Sequence, residues 1–453
     1  MHSKKSVNDS KSFDQARAGR LFHLASLGCK VNQAELAYLA SELEKKGWAR
    51  AEDPAQADLA ILMTCSVTAG AARQSRQMTR RLAKACPKAV ILATGCDVQA
   101  EPRAYTKENA IILGRSRLVE LPLMAAGEKP WPDQSQAPDA PDQGLFCPGV
   151  REPGNGRSRA LLKVQDGCNA FCAYCIVPYT RGRPRSLPLD QALAAFRKLD
   201  QARTAEVVLT GVHLGRYGLD LEPKSSLTEL VEALLGQNAY TRLRISSLEV
   251  NEISDRLVDL TTSHAKLCRH LHIPLQSGCD LVLKKMGRPY KTAEFARTVL
   301  ELHEKSPDIC LGADVLVGLP HEDEESFKRT HDLLAGLPLS YFHVFPYSPR
   351  QGTRASAMKN RTRGPEVKQR AAILRELGKE KFKSFLQTQE NREFEAVVEA
   401  DNKARTDNYC LVKLDEPARP GDLVKIKTQT LLEHQGQYML GGKILSQRPF
   451  ICL

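Results

Sequence analysis

The chain has 453 residues, 42% of them hydrophobic and 26% charged, which is the composition of a globular protein of two or three domains. It has no apolar run of roughly 18 residues, and its start, MHSKKSVNDSKSFDQARAGR, lacks an apolar core, so we expect a cytoplasmic protein without a membrane span. The net charge of +12 favours a polyanionic partner. Thirteen cysteines in a chain expected to stay reduced indicate metal or redox chemistry rather than disulfides.

Residues 1–19 are expected to form a disordered lead-in, and residues 20–127 then alternate strand-like and helix-like segments. The apolar runs LFHLASLG, DLAILMTC, AVILATGC and AIILGRS predict strands, while QAELAYLASELEKKGW and AARQSRQMTRRLAKAC have helical patterning. Strands separated by helices predict an N-terminal parallel α/β domain.

Three cysteines of this domain stand at or just past the ends of predicted strands. Cys29, Cys65 and Cys96 are spaced by 36 and 31 residues. Because the carboxyl ends of parallel strands meet at one edge of a sheet, the three thiols are able to converge there. Three unrelated buried cysteines would give the same pattern, so the residues alone leave both interpretations open.

Residues 128–158 are rich in proline and glycine and predict a linker between domains. A second alternating series covers residues 159–383, with strands expected in ALLKVQ, AEVVLTGV, RLRISSLEV, HLHIPLQ, CLGADVLVGLP and YFHVFPYS. Six such βα units predict a partial α/β barrel whose functional face lies at the strand C-termini. Residues 384–453 change to strand-only patterning with turn signals, which predicts a small C-terminal β-barrel.

The segment DGCNAFCAYC places Cys168, Cys172 and Cys175 at the mouth of the first barrel strand. A structural zinc site would need a fourth ligand, for which Asp166 and Tyr174 are poor candidates. A [4Fe–4S] cluster held by three thiolates leaves one iron open. We therefore expect a small molecule to supply the missing ligand.

This C-x3-C-x2-C spacing at the opening of an α/β barrel resembles the radical S-adenosylmethionine (SAM) superfamily. The resemblance implies that Cys168, Cys172 and Cys175 are both the cluster ligands and the catalytic cysteines. It also implies that the amino and carboxylate groups of SAM occupy the open iron, where an electron cleaves SAM to a 5′-deoxyadenosyl radical.

Further stretches narrow the family. GCKVNQAE, QDGCNAFCAYCIVPYTRG, RISSLEVNE, LHIPLQSGCDLVLKKMGRPY and DVLVGLPHEDEESF together resemble the radical SAM methylthiotransferases. The resemblance implies a second [4Fe–4S] cluster on Cys29, Cys65 and Cys96, the use of two SAM molecules per turnover, and a C-terminal TRAM-like RNA-binding domain. A reductant such as flavodoxin or ferredoxin is also implied, whereas the sulfur donor stays open.

The stretch SLGCKVNQAE resembles the branch of the family that adds a methylthio group to C2 of N6-threonylcarbamoyladenosine, beside the tRNA anticodon. Two alternatives stay open. One is methylthiolation of an aspartate in a ribosomal protein, and the other is a non-catalytic iron–sulfur protein that binds RNA or carries electrons.

Basic residues agree with a tRNA anticodon stem-loop as partner, although a solvated basic face would have the same pattern. We expect phosphate contacts from two groups of side chains, one on the helix after Cys65 and one after Cys175: Arg73, Arg76, Arg80 and Lys84, and Arg181, Arg183 and Arg185.

Several residues near strand ends are candidates for binding SAM: Gly211, Glu249, Gln276, Ser277 and Asp314. Cys268, His270 and His272 alternate along one strand, which predicts a shared face toward the barrel interior rather than a metal site. Five other cysteines are interpreted as structural: Cys86, Cys279, Cys310, Cys410 and Cys452. Cys147, in the proline-rich stretch, is assigned no role.

Overall fold

The computed structural model describes residues 19–106, 110–133, 138–141, 146–154, 157–237 and 239–448. Residues 1–18, which belong to the predicted disordered lead-in, lie outside the described residues, and so does Cys452. The chain forms two compact units. The first comprises the described residues up to Cys147 together with Tyr179–Gly182, and the second comprises Pro148–Pro178 and the chain from Arg183 onward.

The first unit is built around a five-stranded parallel sheet with the order β2-β1-β3-β4-β5. Its strands and helices are, in chain order, β1 (Leu21–Ser26), α1 (Lys30–Lys45), β2 (Ala49–Arg50), β3 (Leu59–Thr64), α2 (Ala69–Ala85), β4 (Val90–Gly95), α3 (Cys96–Ala100), α4 (Arg103–Thr106), β5 (Ile111–Leu113) and α5 (Leu121–Ala125).

The central strand β3 is buried along its whole length, as expected for a parallel sheet covered on both faces. Two apolar clusters cover the two faces. Leu39, Leu43 and Trp48 belong to one of them, and Leu62, Leu82 and Tyr105 belong to the other. This packing fixes the carboxyl ends of β1, β3 and β4 next to one another.

The second unit opens with an α/β barrel. Its strands and helices are, in chain order, β6 (Gly149–Arg151), β7 (Ala160–Lys163), β8 (Gln165–Asp166), α6 (Val177–Arg181), β9 (Arg185–Ser186), α7 (Leu189–Gln201), β10 (Glu206–Thr210), α8 (Leu227–Leu235), β11 (Arg242–Ile245), α9 (Asp255–Ser263), β12 (His270–His272), α10 (Asp280–Lys285), α11 (Thr292–Lys305), β13 (Cys310–Val317), α12 (Glu324–Gly336), β14 (Tyr341–Pro346), α13 (Arg354–Ala357) and α14 (Gly364–Thr388). Of α6, the part from Tyr179 onward is assigned to the first unit.

The barrel strands β7, β10, β11, β12, β13 and β14 are parallel neighbours in that order, with single bridges joining β11 to β12. In the described residues the ladder runs from β6 at one edge to β14 at the other, so the barrel is partial. The predicted fold class, with six parallel barrel strands, is confirmed.

One face of these strands is polar, and we call it the inner face. It carries Glu206, Arg242, Arg244, His270, His272, Asp314, Tyr341 and His343 at alternate positions. The residues between them are apolar and buried, as expected on the side that helices cover: Val207, Leu209, Leu243, Ile245, Leu271, Ala313, Val315, Phe342 and Val344. The inner face therefore holds the polar and titratable side chains of the barrel strands.

The C-terminal part closes into a five-stranded β-barrel with the order β15-β16-β17-β19-β18. Its strands are β15 (Glu393–Glu399), β16 (Lys403–Thr406), β17 (Leu411–Leu414), β18 (Leu423–His434) and β19 (Gln437–Arg448). Its core contains Phe394, Val398, Val412, Ile426 and Leu440.

The turn between β16 and β17 lies against the N-terminal ends of the α/β barrel strands. Arg242 donates to the carbonyl oxygens of Glu395 and Arg405 at 2.8 and 2.9 Å, and Arg244 donates to those of Thr406 and Asp407 at 2.9 and 3.0 Å. Both guanidinium groups also bind Glu206, which is fully buried. The β-barrel thus covers the barrel end opposite the strand C-termini.

The structure differs from the expected domain limits in two places. The end of the proline-rich stretch forms β6, which pairs antiparallel with β7 and extends the sheet. Helix α14 runs through position 383, since nothing in its sequence stops a helix before Thr388. Strand β6 has only three residues, so its alternating pattern is too short to recognise in the sequence. Helix α14 is uninterrupted and connects the α/β barrel to the C-terminal β-barrel.

Candidate functional site

The three cysteines of the first unit lie at one edge of its sheet. Cys29 is the N-cap residue of α1, Cys65 directly follows β3, and Cys96 is the first residue of α3 after β4. Because β1, β3 and β4 are adjacent and parallel, their C-terminal ends bring these residues together. Cys29 is exposed, whereas Cys65 and Cys96 are buried.

Two glycines allow this close approach. Gly28 and Gly95, each directly before a cysteine, have φ angles of +100° and +101°. A Cβ atom on Gly28 would lie 2.9 Å from the Cys65 sulfur, and one on Gly95 would lie 2.7 Å from the Thr64 carbonyl oxygen. Side chains at either position would force the cysteine loops apart.

A buried polar network supports the same loops. Asn32 on α1 donates to the carbonyl oxygens of Leu27 at 2.8 Å and Thr64 at 3.1 Å, which directly precede Gly28 and Cys65. Its amide oxygen accepts from Arg181 at 2.5 Å. One turn further along α1, the fully buried Glu35 binds Arg115 at 2.6 Å and Arg181 at 3.3 Å.

The pKa of the Cys65 thiol is raised to about 11, chiefly by burial and also by Cys96 and Cys29, whereas the backbone at Val67 and the charge of Arg181 act to lower it. A metal bound there must displace the thiol proton, and a buried cation beside the site favours the resulting anion. The first unit therefore provides three thiols at one sheet edge with a guanidinium close by.

In the second unit, Cys168, Cys172 and Cys175 lie in the loop after β8. The backbone N–H of Ala170 donates to the Cys168 sulfur at 3.4 Å, and that of Cys175 donates to the Cys172 carbonyl at 3.0 Å, which forms a tight turn. Hydrogen bonds to ligand sulfurs are a usual means of tuning an iron–sulfur cluster.

His213, just past β10, lies with Nδ1 3.2 Å from the Cys168 sulfur and Nε2 2.8 Å from Glu252. Burial alone would raise the pKa of the Cys168 thiol, but the hydrogen bond and charge of His213 outweigh it and lower that pKa. Conversely, burial opposes protonation of His213, but Cys168 and Glu252 raise the His213 pKa to about 9. The imidazolium thus stabilises a thiolate at Cys168.

Arg288, which follows α10, reaches the same loop. Its Nη1 lies 3.2 Å from the Cys172 sulfur, and its Nη2 binds the Glu249 carboxylate. Tyr290 receives a hydrogen bond from Arg288 at 3.0 Å, so the guanidinium is held from several sides. Arg288 thus links Glu249, a predicted SAM residue, to Cys172, a predicted cluster ligand.

The sulfur spacing bears on which metal fits. Two ligands on one zinc ion lie at most about 4.6 Å apart, twice the Zn–S bond. Among the described residues, only His272, Asp314 and His343 have three His, Cys, Asp or Glu ligand atoms all within 4.8 Å of one another. In each cysteine triplet at least two of the sulfur atoms are therefore more than 4.8 Å apart, a spacing that fits a cluster, which binds each thiolate to a different iron.

The other predicted SAM residues, Gly211, Gln276 and Ser277, differ in their burial and contacts. A Cβ on Gly211 would be 2.9 Å from Gln165, whose amide oxygen accepts from the His213 backbone, so Gly211 lets the His213 loop close. Gln276 follows β12 with φ +67° and bridges to Val315. Ser277 is fully buried, with its hydroxyl 3.5 Å from that of Thr330, and its expected cofactor contact stays a prediction.

Asp314 is engaged by two imidazoles. His272 Nε2 lies 3.0 Å and His343 Nδ1 lies 3.4 Å from the same Asp314 oxygen. Burial would raise the Asp314 pKa, but both imidazoles lower it well below its usual value. The carboxylate is thus ionised, and one of its two oxygens is engaged by the imidazoles. Its role as an acceptor for SAM stays a prediction. Cys268, by contrast, lies near Glu206 and takes no part in this group.

The basic residues predicted to meet RNA divide into two kinds. On α2, Arg73, Arg80 and Lys84 are exposed, and Arg76 pairs with Asp97 at 3.1 Å and Glu101 at 3.5 Å. Arg183 is exposed, and Arg185 lies 4.0 Å from Asp166. Arg181 is only 2% exposed and binds Glu35 and Asn32, which differs from the expected phosphate contact.

Sequence reasoning missed several residues. Asn32, Glu35 and Arg115 were not singled out, although a polar Asn and Glu one turn apart on an otherwise apolar helix face are a recognisable signal. It also named no aromatic for base stacking. Phe171, beside Cys172, and Tyr179 are 47% and 48% exposed.

Comparisons with known proteins agree with this architecture. The family described as "Uncharacterized protein family UPF0004" matches residues 21–114, and the Radical SAM superfamily matches residues 162–334. The α/β barrel with its C-x3-C-x2-C loop is thus that of a radical SAM protein. A solved structure of the radical SAM methyltransferase TsrM from Kitasatospora setae is similar in fold, with TM-score 0.57 and 15% identity over 75% of this chain and 77% of that one.

Curated relatives cover most of the chain. The threonylcarbamoyladenosine tRNA methylthiotransferase MtaB of Aquifex aeolicus is 34% identical, over 88% of this chain and 98% of its own length. That of Bacillus subtilis is 30% identical over 91% and 98%. A tRNA-2-methylthio-N(6)-dimethylallyladenosine synthase of Syntrophus aciditrophicus is 29% identical over 84% of both chains. The chain therefore belongs to the MtaB-like group of radical SAM methylthiotransferases.

None of the described helices combines the length and apolar character that crossing a bilayer requires.

Proposed function

We propose that this protein transfers a methylthio group to C2 of N6-threonylcarbamoyladenosine, next to the anticodon of tRNA. One observation carries the proposal: a single chain has two cysteine triplets, the first at the C-terminal edge of a parallel sheet and the second in the loop after β8 of a radical SAM barrel. Two relatives named as threonylcarbamoyladenosine tRNA methylthiotransferases are matched by this chain over 98% of their own length.

The radical SAM family implies SAM and a [4Fe–4S] cluster in the barrel. With SAM bound, that cluster supplies one-electron cleavage of SAM and thereby an oxidant strong enough to remove a hydrogen atom from an unactivated C–H bond. The residues of the chain hold and tune it. Cys168, Cys172 and Cys175 are the ligands, and Ala170 and Arg288 donate hydrogen bonds to their sulfurs.

The first unit, in this proposal, holds a second [4Fe–4S] cluster on Cys29, Cys65 and Cys96 and carries the sulfur that is transferred. The exposure of Cys29 beside two buried cysteines supports this role, since cargo on the cluster must be reachable from outside. One SAM would methylate the sulfur and a second would be cleaved, which gives two SAM per turnover. The sulfur donor stays unassigned.

The partner in the proposal is the anticodon stem-loop of tRNA in the cytoplasm, with a flavodoxin or ferredoxin as reductant. The exposed cations Arg73, Arg80, Lys84 and Arg183 support an anionic partner. Single-stranded loops are read by stacking as well as charge, and the exposed ring of Phe171 next to the cluster ligands suits that use.

The division of labour between the two sites is testable with a Cys29→Ala, Cys65→Ala, Cys96→Ala protein. It should still cleave SAM to 5′-deoxyadenosine under reduction but form no 2-methylthio product. A Cys86→Ala protein is the matched control, because Cys86 is buried in the same unit outside the triplet. Loss of SAM cleavage in the triple variant, with the barrel cluster intact, would contradict the assignment.

The acceptor is testable by mass spectrometry of tRNA nucleosides from cells lacking the protein. We expect loss of the 2-methylthio form and accumulation of N6-threonylcarbamoyladenosine. An unchanged nucleoside profile would instead favour a ribosomal-protein acceptor, and absence of 5′-deoxyadenosine formation by the purified protein would favour a non-catalytic iron–sulfur protein.

A further inference from the structure

Three side chains on the inner face of the α/β barrel form a second kind of ligand group, outside both cysteine triplets. His272 ends β12, Asp314 lies in β13 and His343 lies in β14, and Asp314 and His343 are direct partners in the strand register. Their positions on three adjacent strands make the group a product of the barrel topology.

The donor atoms are spaced as ligands of one ion would be. The Asp314 oxygen lies 3.0 Å from His272 Nε2 and 3.4 Å from His343 Nδ1, and all three ligand atoms lie within 4.8 Å of one another. Bonds of roughly 2.0–2.2 Å to an ion place neighbouring ligands at such distances. Two imidazoles and one carboxylate are the donor set that first-row divalent cations favour.

A further shell of contacts orients the ligands. The His272 Nδ1 atom lies 3.1 Å from the Tyr341 hydroxyl, which is also 2.9 Å from His270 Nε2. The ring of Tyr409, from the C-terminal β-barrel, stacks on His270 with ring centres 4.3 Å apart. Metal-binding histidines regularly have their second nitrogen fixed in this way, because it sets the tautomer and the ring direction.

One side of the group is open. The His343 side chain is 57% exposed, whereas His272 and Asp314 are 9% and 26% exposed. An ion held here would keep coordination positions free for water or for an oxygen atom of a ligand entering the barrel.

We infer that His272, Asp314 and His343 bind a divalent first-row cation such as Mn²⁺, Fe²⁺ or Zn²⁺ on the inner face of the barrel. Direct hydrogen bonds from the two imidazoles to Asp314 would give the same resting distances, so the test must separate an ion site from a hydrogen-bonded triad. Binding of the ion does not depend on the substrate proposed above.

The probe is Mn²⁺, added to protein with both cysteine triplets loaded with iron. Mn²⁺ prefers oxygen and nitrogen donors over thiolates, so incomplete cluster sites would not take it up. The loss of the free Mn²⁺ electron paramagnetic resonance signal gives the number bound. We expect one ion per chain, with Zn²⁺ displacing it at a concentration at least tenfold lower, as the affinity order of these metals requires.

Asp314→Asn and His343→Gln should each weaken this binding at least tenfold, and neither changes the size of a buried apolar group. His331→Gln is the matched control, because His331 also pairs with an aspartate, Asp332 at 3.2 Å, but on an exposed helix. The control should bind as the unchanged protein does. Equal Mn²⁺ binding by all four proteins, or none by the unchanged one, would overturn the inference in favour of a hydrogen-bonded triad.

Discussion

The two cysteine sites are assembled in opposite ways. In the first unit each cysteine follows a different strand, so only the order of the sheet brings the three together. In the barrel all three cysteines belong to one loop, and distant side chains such as His213 and Arg288 come to them. Changes in packing should therefore damage the first site most, whereas changes in polar contacts should alter the second without dismantling it.

The largest effect is expected at Gly95. In Gly95→Ala the new Cβ would meet the Thr64 backbone at 2.7 and 2.8 Å, in a φ region that alanine avoids. We expect a loss of about 2–4 kcal/mol in the free energy of unfolding and loss of the iron of the first site. Iron analysis should find roughly half the metal of the unchanged protein.

Gly47→Ala is the control for that experiment. Gly47 has a similar φ of +81°, but nothing lies within 4 Å of its Cβ position. It should cost about 1 kcal/mol and retain all iron. If both variants lose iron equally, backbone strain rather than the contact with Thr64 would explain the loss.

The next effect is expected at Arg181. In Arg181→Gln the buried Glu35 keeps Arg115 but loses its second cation, and the amide oxygen of Asn32 loses the guanidinium that donates to it. We expect a destabilisation of about 1–3 kcal/mol, measured by denaturant unfolding. Arg183→Gln, two residues further on and exposed, should change stability by less than about 0.5 kcal/mol.

The same pair of variants separates structure from RNA contact. If Arg181 met phosphate instead, its substitution would reduce the salt dependence of tRNA binding and leave stability unchanged. That outcome would refute the buried ion pair.

At the barrel site we expect a smaller effect. Arg288→Gln removes a charged donor from the Cys172 sulfur, which should lower the midpoint potential of the barrel cluster while its iron stays bound. Potentiometric titration measures the shift. Arg288→Lys should restore part of it, since the charge returns without the guanidinium fork. Loss of iron from the barrel in either variant would contradict a tuning role.

The smallest effects are expected on α2. The affinity for tRNA falls with salt concentration, so its log–log slope is negative. Arg80→Gln and Lys84→Gln should each make this slope less negative by about 0.7–0.9. Lys379→Gln is the control, because Lys379 is an exposed lysine on α14 that pairs with Glu376. If all three variants have the same slope as the unchanged protein, the α2 cations face solvent and do not contact tRNA.

Local patterns were sufficient to predict part of this architecture. The strands before Cys29, Cys65 and Cys96 are continuous apolar runs, and the rule that parallel strands end at one edge then predicts where the thiols lie. The partners of Glu35 were not predictable, because Arg115 and Arg181 lie 80 and 146 residues away and an arginine in a basic stretch resembles a phosphate ligand. Pairing of His272 with Asp314 and His343 likewise depends on strand register, which no local pattern encodes.

Through the β16–β17 turn and the end of β16, the C-terminal β-barrel covers the N-terminal ends of the radical SAM barrel strands. Arg242 and Arg244 donate to carbonyl oxygens at the end of β16 and in the turn that follows it, and Tyr409 of that turn stacks on His270. Truncating the chain after α14 would therefore remove these acceptors from two buried guanidinium groups. It would also expose the end of the α/β barrel that lies opposite the strand C-termini. The C-terminal β-barrel thus forms part of the wall around the polar inner face, at the end opposite the strand C-termini.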